Sequence, residues 1–340
     1  MDRVVTANRL ANPVRATLKG ILDLGVARGR DRPRLRPGER VDGLTALVTG
    51  ASSGLGFATT VDLARRGATV LMADCRGLPQ AQERARRMCN ADRFAALHVD
   101  LSDLDSIERL CDELVRREAR LDRVILNAAI VPAEIRTTRQ GLSELFVVNY
   151  LSSFLLLRRL LRAGIVENAL FASPGSPRSR RPRIIFVSSE AHRWAVDLDL
   201  VDIAKTPGYS LGRVVAVYGY YKLMTTTLAQ ELDRRLNPPG QLNVPVLSLC
   251  PGAMNTGIAR EAPRLIKPLI QIVMRLCFQD PFRADEPVLY LACSEEAETR
   301  TGIYLHQMVR KAVDPRASDP RAGRSLWERS EALLAELGHA

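Results

Sequence analysis

The chain has 340 residues, 46% of them hydrophobic and 5% aromatic, which is enough apolar material to bury a sizeable core. Its formal net charge of +11 fits a soluble arginine-rich protein, and it also fits a protein that meets nucleic acid or an anionic membrane surface. The sequence has no zinc-ligand spacing, aromatic RNA-binding motif or helix-turn-helix signature, so we expect no nucleic-acid partner. The six cysteines and four histidines are scattered, which predicts reduced thiols and no metal site.

The first 43 residues differ from the rest of the chain. Over residues 4–26 apolar residues recur at helical spacing with arginine and lysine between them, and an Arg/Pro-rich linker follows at 28–40. We favour a helix that docks on the rest of the chain or on a partner, and the alternative is a helix that lies weakly on an anionic membrane. No run of 18 apolar residues and no secretory signal occurs, so we expect a cytoplasmic protein, associated with membranes through its surface if at all.

From Thr45 onward, short apolar runs alternate with longer amphipathic segments. The runs predict strands at 45–50, 68–74, 94–99, 123–127, 183–189 and 243–250, and the segments predict helices at 55–66, 79–89, 103–118, 139–148, 150–163 and 217–236. Strands that are apolar on both faces belong in a parallel sheet between helix layers, so the pattern predicts a Rossmann-type doubly wound α/β fold of about seven strands. We divide the chain into an N-terminal extension at 1–43, an α/β domain at 44–310 and a C-terminal helical tail at 311–340.

Two segments interrupt this alternation. The Pro/Ser/Arg-rich stretch at 173–183 has no apolar anchors and predicts an exposed loop. Residues 254–282 contain an apolar run with charges, and this segment could be a substrate lid, an interface helix or, at 264–278, a patch that touches a membrane.

A glycine-rich turn joins the first predicted strand to the first predicted helix, with the sequence TGASSGLG at 49–56. Glycines there let the backbone approach a pyrophosphate, which then lies at the positive end of the helix. Asp74 ends the second predicted strand, where a carboxylate can accept hydrogen bonds from the adenosine ribose and would repel a ribose phosphate. Asp74 therefore favours NAD over NADP, while Arg76, two residues later, keeps NADP open.

Four further features follow the carboxyl ends of successive predicted strands, where ligands bind in such sheets. They are Asp100-Leu101, Asn127-Ala128-Ala129, Ser188-Ser189 and Pro251-Gly252. Each alone is typical of an ordinary turn, but together at one sheet edge they indicate a binding site.

Tyr218 and Lys222 lie four residues apart, on one face of the last predicted helix. An isolated pair of this kind is most often exposed to solvent. At a sheet edge that already carries binding features, the pair predicts proton transfer instead, with Lys222 lowering the pKa of the Tyr218 phenol toward neutral pH.

Together these motifs resemble the short-chain dehydrogenases/reductases, from about Thr45 to about Tyr304. The resemblance rests on TGASSGLG, DL, NAA, the asparagine of VVNY, the serine of VSS, YxxxK, and PG followed by Thr256. LNAA, FVVNYLSSFLLL, RIIFVSSEAHRW and SLWERSEALL are most similar to the branch of retinol-dehydrogenase-like enzymes and lipophilic carbonyl reductases. Ala129 in place of the usual glycine, and the bulky Tyr220 and Tyr221 inside YxxxK, depart from the family pattern without removing a reacting group.

The resemblance implies strand order 3-2-1-4-5-6-7, a homodimer through the helices at 150–163 and 217–236, and a role for each matching residue. Tyr218 would be the general acid/base, Ser189 would bind the substrate oxygen, Lys222 the nicotinamide ribose, and Asn149 a water in the proton relay. The other cofactor contacts would be Gly50, Ser52, Ser53, Gly54, Leu55 and Gly56 at the diphosphate, Asp74 at the ribose, Asp100 and Leu101 at the adenine, and Asn127, Pro251, Gly252 and Thr256 elsewhere.

These observations predict an NAD(P)-dependent oxidoreductase that interconverts an alcohol and a ketone or aldehyde. The apolar character of 254–282 favours a lipid-, retinoid- or steroid-like substrate. Two alternatives stay open. One is a cofactor-binding interaction protein without turnover, against which the intact set Asn149, Ser189, Tyr218 and Lys222 argues. The other is a membrane-surface protein that acts through its N-terminal helix.

Overall fold

The computed structural model describes residues 33–132, 134–170, 180–206, 208, 214–252 and 280–339. The helix expected at 4–26 and the patch at 264–278 lie outside the described residues, as does most of the loop expected at 173–183.

A single sheet runs through the described part of the chain, with eight strands in the order β3-β2-β1-β4-β5-β6-β7-β8. They are β1 (Thr45–Thr49), β2 (Thr69–Asp74), β3 (Phe94–His98), β4 (Arg123–Leu126), β5 (Arg183–Val187), β6 (Val246–Cys250), β7 (Tyr304–His306) and β8 (Val309–Lys311). All neighbouring pairs are parallel except β7 and β8. The predicted α/β fold and strand order are confirmed, and β8 adds an antiparallel edge that the sequence did not indicate.

Helices cover both faces of the sheet. They are α1 (Gly54–Arg65), α2 (Leu78–Cys89), α3 (Leu104–Arg116), α4 (Glu144–Phe146), α5 (Ser152–Arg162), α6 (Val214–Leu236), α7 (Pro281–Ala284), α8 (Glu286–Cys293), α9 (Pro315–Ser318) and α10 (Pro320–Glu336). Strand residues alternate between the two cores: Leu47 belongs to the core beneath α3, α5, α6 and α10, whereas Ala46 and Val48 belong to the core beneath α1, α2 and α8. Each fully buried leucine or valine contributes roughly 1.5–3 kcal/mol to the free energy of unfolding. Burial on both faces therefore stabilises the sheet, including the edge at which the strands end.

Three C-terminal helices begin on the same two-residue pattern. Asp280, Asp314 and Asp319 each accept a hydrogen bond from a backbone N–H two residues later, and a proline follows each aspartate. The carboxylate satisfies a free amide of the first turn, and proline has no amide to leave unpaired there. The helices at Asp314 and Asp319 lie within the helical tail expected at 311–340, whereas the short helix at Asp280 was not predicted.

The helix predicted at 139–148 is wrong in its first half. Residues 139–142 form a turn, in which Gly141 has a φ of 77° and the Thr138 amide bonds the Leu142 carbonyl. An antiparallel bridge between Thr137 and Ser143 closes this turn before α4 begins. A single π-helical turn, Val147–Leu151, then leads into α5.

Helix α10 packs across α5 and α6. The Trp327 ring meets Phe154 edge-on with centroids 4.9 Å apart, and the Ser330 hydroxyl lies 2.7 Å from the Tyr150 hydroxyl. The Arg235 guanidinium covers Trp327 at 4.4 Å. Within this chain α10 therefore covers part of the two helices through which a homodimer was expected, and the dimer stays a prediction. No described helix is both long and apolar enough to cross a membrane.

Candidate active site

The turn between β1 and α1 has a backbone conformation that favours glycine. Gly50 and Gly54 have φ values of 67° and 56°, in the left-handed region. A Cβ atom on Gly56 would lie 2.2 Å from the Gly50 carbonyl oxygen and 2.6 Å from the Asn127 amide nitrogen. No side chain caps the start of α1, and its first turn holds no acidic residue. The turn thus fits the diphosphate of a dinucleotide, which would accept hydrogen bonds from the first amides of α1, at Leu55 and its neighbours.

The ends of β1 and β4 are tied together beside this turn. The Asn127 side chain donates to the Thr49 carbonyl at 2.9 Å. The backbone amides of Asn127 and Ala128 donate to the Thr49 hydroxyl at 3.0 and 3.1 Å. Asn127 therefore stabilises the sheet edge on which a cofactor would rest.

Asp74 ends β2, and Asp100 follows the neighbouring strand β3, on the adenosine side of the turn. The Asp74 carboxylate accepts hydrogen bonds from the backbone amides of Ser52 at 3.1 Å and Cys75 at 2.8 Å. It is thereby fixed against the glycine turn, next to the exposed Arg76. The Asp100 carboxylate accepts from the amide and hydroxyl of Ser102 at 2.9 and 2.6 Å, and Leu101 between them is half-buried.

Ser189 follows β5, and Tyr218 lies in the second turn of α6. The Ser189 side chain accepts a hydrogen bond from the Ala191 amide, at the start of a 3-10 turn, Glu190–Trp194. Its hydroxyl also interacts with the Tyr218 phenol. Burial raises the pKa of Tyr218 above its ordinary value, the neighbouring Cys250 adds to this effect, and the interaction with Ser189 offsets only part of it. The phenol is therefore protonated at neutral pH.

Lys222 is almost fully buried one helical turn further along α6, with 3% of its surface exposed. Its ammonium donates to the Val187 carbonyl at 2.7 Å and lies 5.5 Å from the centre of the Tyr218 ring. Burial lowers the pKa of Lys222 to about 8, against an opposing effect of Cys250. The expectation that Lys222 lowers the pKa of Tyr218 is wrong for this arrangement: the ammonium bonds the strand carbonyl, and desolvation of the phenol dominates.

Asn149 lies in the π-helical turn before α5, a feature that often marks functional positions. Its side chain accepts from the Ile130 amide at 2.8 Å and donates to the Ile130 carbonyl at 3.0 Å. Its backbone carbonyl accepts from the Thr225 hydroxyl on α6 at 3.0 Å. Asn149 thus links the segment after β4 to the helix that carries Tyr218 and Lys222, and its water-binding role stays a prediction.

Pro251 and Gly252 follow β6 at the same edge. Gly252 has a φ of 92°, and a Cβ atom there would lie 2.5 Å from the Gln307 side-chain nitrogen. Thr256 lies outside the described residues. Within the described ranges no cluster of three or more His, Cys, Asp or Glu side chains could hold a metal ion.

Comparisons with known proteins agree with this geometry. Residues 44–198 match the family model of the short chain dehydrogenases. The chain is 33% identical to human retinol dehydrogenase 14, over 96% of this chain and 98% of that protein. The chain belongs to the short-chain dehydrogenase/reductase family. It is also 32% identical to mouse retinol dehydrogenase 13, over 86% of this chain and 84% of that protein.

Solved structures agree with the fold of this short-chain dehydrogenase/reductase. An uncharacterised protein of Mycobacterium paratuberculosis superimposes with a TM-score of 0.64 at 27% identity, over 90% of this chain and 96% of that one. A short chain dehydrogenase of Pseudomonas syringae gives a TM-score of 0.59 at 22% identity, over 82% of this chain and 99% of that one. The chain is thus an oxidoreductase related to the retinol dehydrogenases, in a family that uses NAD(P).

Sequence reasoning missed two residues of this short-chain dehydrogenase/reductase that touch the Ser189 turn. A Cβ atom on Gly219 would lie 2.5 Å from the Ala191 carbonyl oxygen, so glycine lets α6 approach the turn closely. The available signal was a glycine inside a helix, which costs about 1 kcal/mol and needs a packing reason. His192, within the same turn, has a fully buried side chain, and an isolated histidine carries no such signal.

Proposed function

We propose that the protein interconverts an apolar alcohol and its ketone or aldehyde with NAD(H), and that Tyr218 is its general acid/base. The observation that carries this proposal is the placement of Ser189, Tyr218 and the buried Lys222 at the sheet edge that also carries the glycine turn. The Lys222 ammonium lies 5.5 Å from the centre of the Tyr218 ring, and Ser189 interacts with the phenol. When bound, the nicotinamide supplies or accepts the hydride.

The proton chemistry follows from the states of the three polar side chains. The protonated Tyr218 phenol donates a proton to the oxygen of a carbonyl substrate, and Ser189 donates a hydrogen bond that stabilises the developing negative charge. The buried Lys222 ammonium lies 5.5 Å from the centre of the Tyr218 ring, and we assign it to the ribose of the nicotinamide.

Two observations support an apolar substrate. Relatives of this chain are named retinol dehydrogenases, and retinol is an apolar alcohol. Two large apolar side chains are exposed on segments that follow strands of the active edge: Ile135 after β4 and Val196 after the Ser189 turn, with 44% and 54% of their surfaces exposed. Exposed apolar side chains beside a site suit a substrate that is itself apolar.

The cofactor preference rests on Asp74. Its carboxylate is fixed by two backbone amides against the glycine turn and would repel the 2′-phosphate of NADP.

We further propose a cytoplasmic protein whose basic residues 4–26, or the patch at 264–278, touch an anionic membrane surface. Liposome flotation with and without residues 1–43 tests this placement.

The decisive experiment measures turnover with NADH and NADPH separately on retinaldehyde, a long aliphatic aldehyde, a steroid ketone and glyceraldehyde as a polar reference. Tyr218→Phe is expected to reduce kcat by about 10²–10⁴-fold, because proton transfer typically contributes that much. Tyr221→Phe is the matched control, since the same hydroxyl is removed from the same helix, where it bonds Thr206 instead. Equal loss in both variants would contradict the role of Tyr218, and cofactor binding without any turnover would support the non-catalytic alternative.

A further inference from the structure

We propose that His192 is a positioning residue that holds Ser189 in place by joining the Ser189 turn to the C-terminal segment around Asp314. This inference rests on the proposed function, because Ser189 matters only if it binds the substrate oxygen. His192 belongs to the turn itself, and its side chain is fully buried.

Both ring nitrogens of His192 are hydrogen-bonded, and the partners fix one tautomer. Nδ1 lies 2.6 Å from the Ser189 carbonyl oxygen, which can only accept, so Nδ1 carries the proton. Nε2 accepts from the backbone amide of Asp314 at 3.1 Å. Burial lowers the pKa of His192, which keeps the ring neutral and this pair of bonds intact.

The C-terminal segment that His192 contacts holds the turn at two further points. The Arg316 guanidinium donates to the Ala195 carbonyl at 2.7 Å and to the Arg193 carbonyl at 3.2 Å. A hydrogen bond of 2.9 Å to the Asp314 carboxylate aligns that guanidinium. The segment 314–316 therefore binds the turn at Arg193 and Ala195 directly, and at Ser189 only through His192.

The opposite side of the turn contacts α6 beside the tyrosine. Gly219 meets the Ala191 carbonyl, and Tyr218 precedes it in the chain. On the sheet side the His192 ring meets Tyr304 of β7 edge-on, with ring centres 5.2 Å apart. His192 thus sets how far the turn stands from β7, and hence how close Ser189 comes to Tyr218.

Three substitutions separate positioning from bulk packing. His192→Asn keeps a donor near Nδ1, His192→Gln keeps an acceptor near Nε2, and His192→Phe keeps only the ring. We expect His192→Phe to lower kcat about 10–100-fold with little change in the Kd for NADH, because a misplacement near 1 Å can cost about 10²-fold. His192→Asn should recover most of that loss and His192→Gln less.

A double-mutant cycle with Ser189→Ala identifies the residue through which His192 acts. If His192 acts through Ser189, adding His192→Phe to Ser189→Ala lowers kcat no further. Additive losses overturn the proposal, and so does full activity of His192→Phe.

A spectroscopic measurement keeps this test independent of turnover. In protein with labelled tyrosine, His192→Phe should shift the Tyr218 ring resonance in the direction that Ser189→Ala shifts it, whereas His192→Asn should leave it close to the wild type. An unmoved resonance in His192→Phe overturns the positioning role, even if no substrate is found. Absence of turnover in the wild type, with the resonance shifts as expected, would count against the proposed function alone.

Discussion

Replacing Gly219 by alanine should impair catalysis and lower the free energy of unfolding by no more than about 2 kcal/mol. The added Cβ atom would lie 2.5 Å from the Ala191 carbonyl oxygen, and both partners are backbone, so neither can rotate away. Since non-bonded carbon and oxygen atoms need roughly 3.0–3.4 Å, α6 or the Ser189 turn must move by at least about half an ångström. That movement separates Tyr218 from Ser189.

Two effects on stability oppose each other in Gly219→Ala. Alanine gains about 1 kcal/mol over glycine inside a helix. Overpacking of this kind costs about 1–3 kcal/mol. The net change in the free energy of unfolding is therefore a loss of about 0–2 kcal/mol, whereas kcat should fall about 10–100-fold because the reacting groups are displaced.

The assay is kcat and KM for the best substrate together with urea unfolding, and Gly323→Ala in α10 is the control. A Cβ atom on Gly323 would lie 2.4 Å from an Arg234 guanidinium nitrogen and 2.9 Å from a Glu231 carboxylate oxygen, both at the far ends of flexible side chains, and 3.2 Å from the Glu231 Cβ. Gly323 lies on α10, outside the active edge. Gly323→Ala should keep the wild-type kcat. The reasoning is refuted if Gly219→Ala keeps its kcat and gains the full helix-propensity increment.

Two more predictions concern charge. Burial lowers the pKa of Lys222 from 10.5 to about 8, so the folded protein releases this proton at a lower pH than the unfolded chain does. Burying the charged ammonium therefore lowers the free energy of unfolding by about 3 kcal/mol. This penalty acts in full below pH 8 and disappears as the pH rises to 10.5. Lys222→Met should therefore gain less stability than the wild type between pH 8 and 10.5 in urea unfolding, whereas Lys205→Met, at an exposed lysine, should follow the wild type. For the cofactor, Asp74→Asn should bind NADPH about tenfold more tightly relative to NADH, since the carboxylate charge is lost while an acceptor for the Ser52 or Cys75 amide remains. Fluorescence titration checks this, and an unchanged ratio would remove Asp74 from the account of cofactor choice.

Much of the fold could be predicted because its strands are buried on both faces. β1 to β6 appear in the sequence as apolar runs of four to six residues, and each ends within a few residues of the predicted boundary. β7 and β8 have three residues each, which is too short for any periodicity to be read. The π-helical turn around Asn149 continues the apolar pattern of a helix, so its extra residue leaves no mark in the sequence.

The residues of the candidate site also fall into those that the sequence predicts and those that it does not. Residues such as Tyr218, Lys222 and Asp74 could be named because their chemistry and their place after a strand or along a helix are visible locally. The role of His192 depends on an amide 122 residues away, and no local pattern encodes that contact. The pKa of Tyr218 was misjudged for a related reason: the sequence shows a lysine one turn away, but not that its ammonium bonds Val187 and that the phenol is desolvated.

The two tryptophans of the chain lie in different regions, so their fluorescence reports on each region separately. Trp194 ends the 3-10 turn that carries Ser189 and is half-buried, whereas Trp327 is enclosed between Phe154 and Arg235 where α10 joins the body. Trp327→Phe would leave a single tryptophan, in the turn that follows Ser189. Its emission would then follow ligand-induced changes in that turn without any attached dye, while the emission of Trp327 in a Trp194→Phe variant would follow loss of the packed body during unfolding.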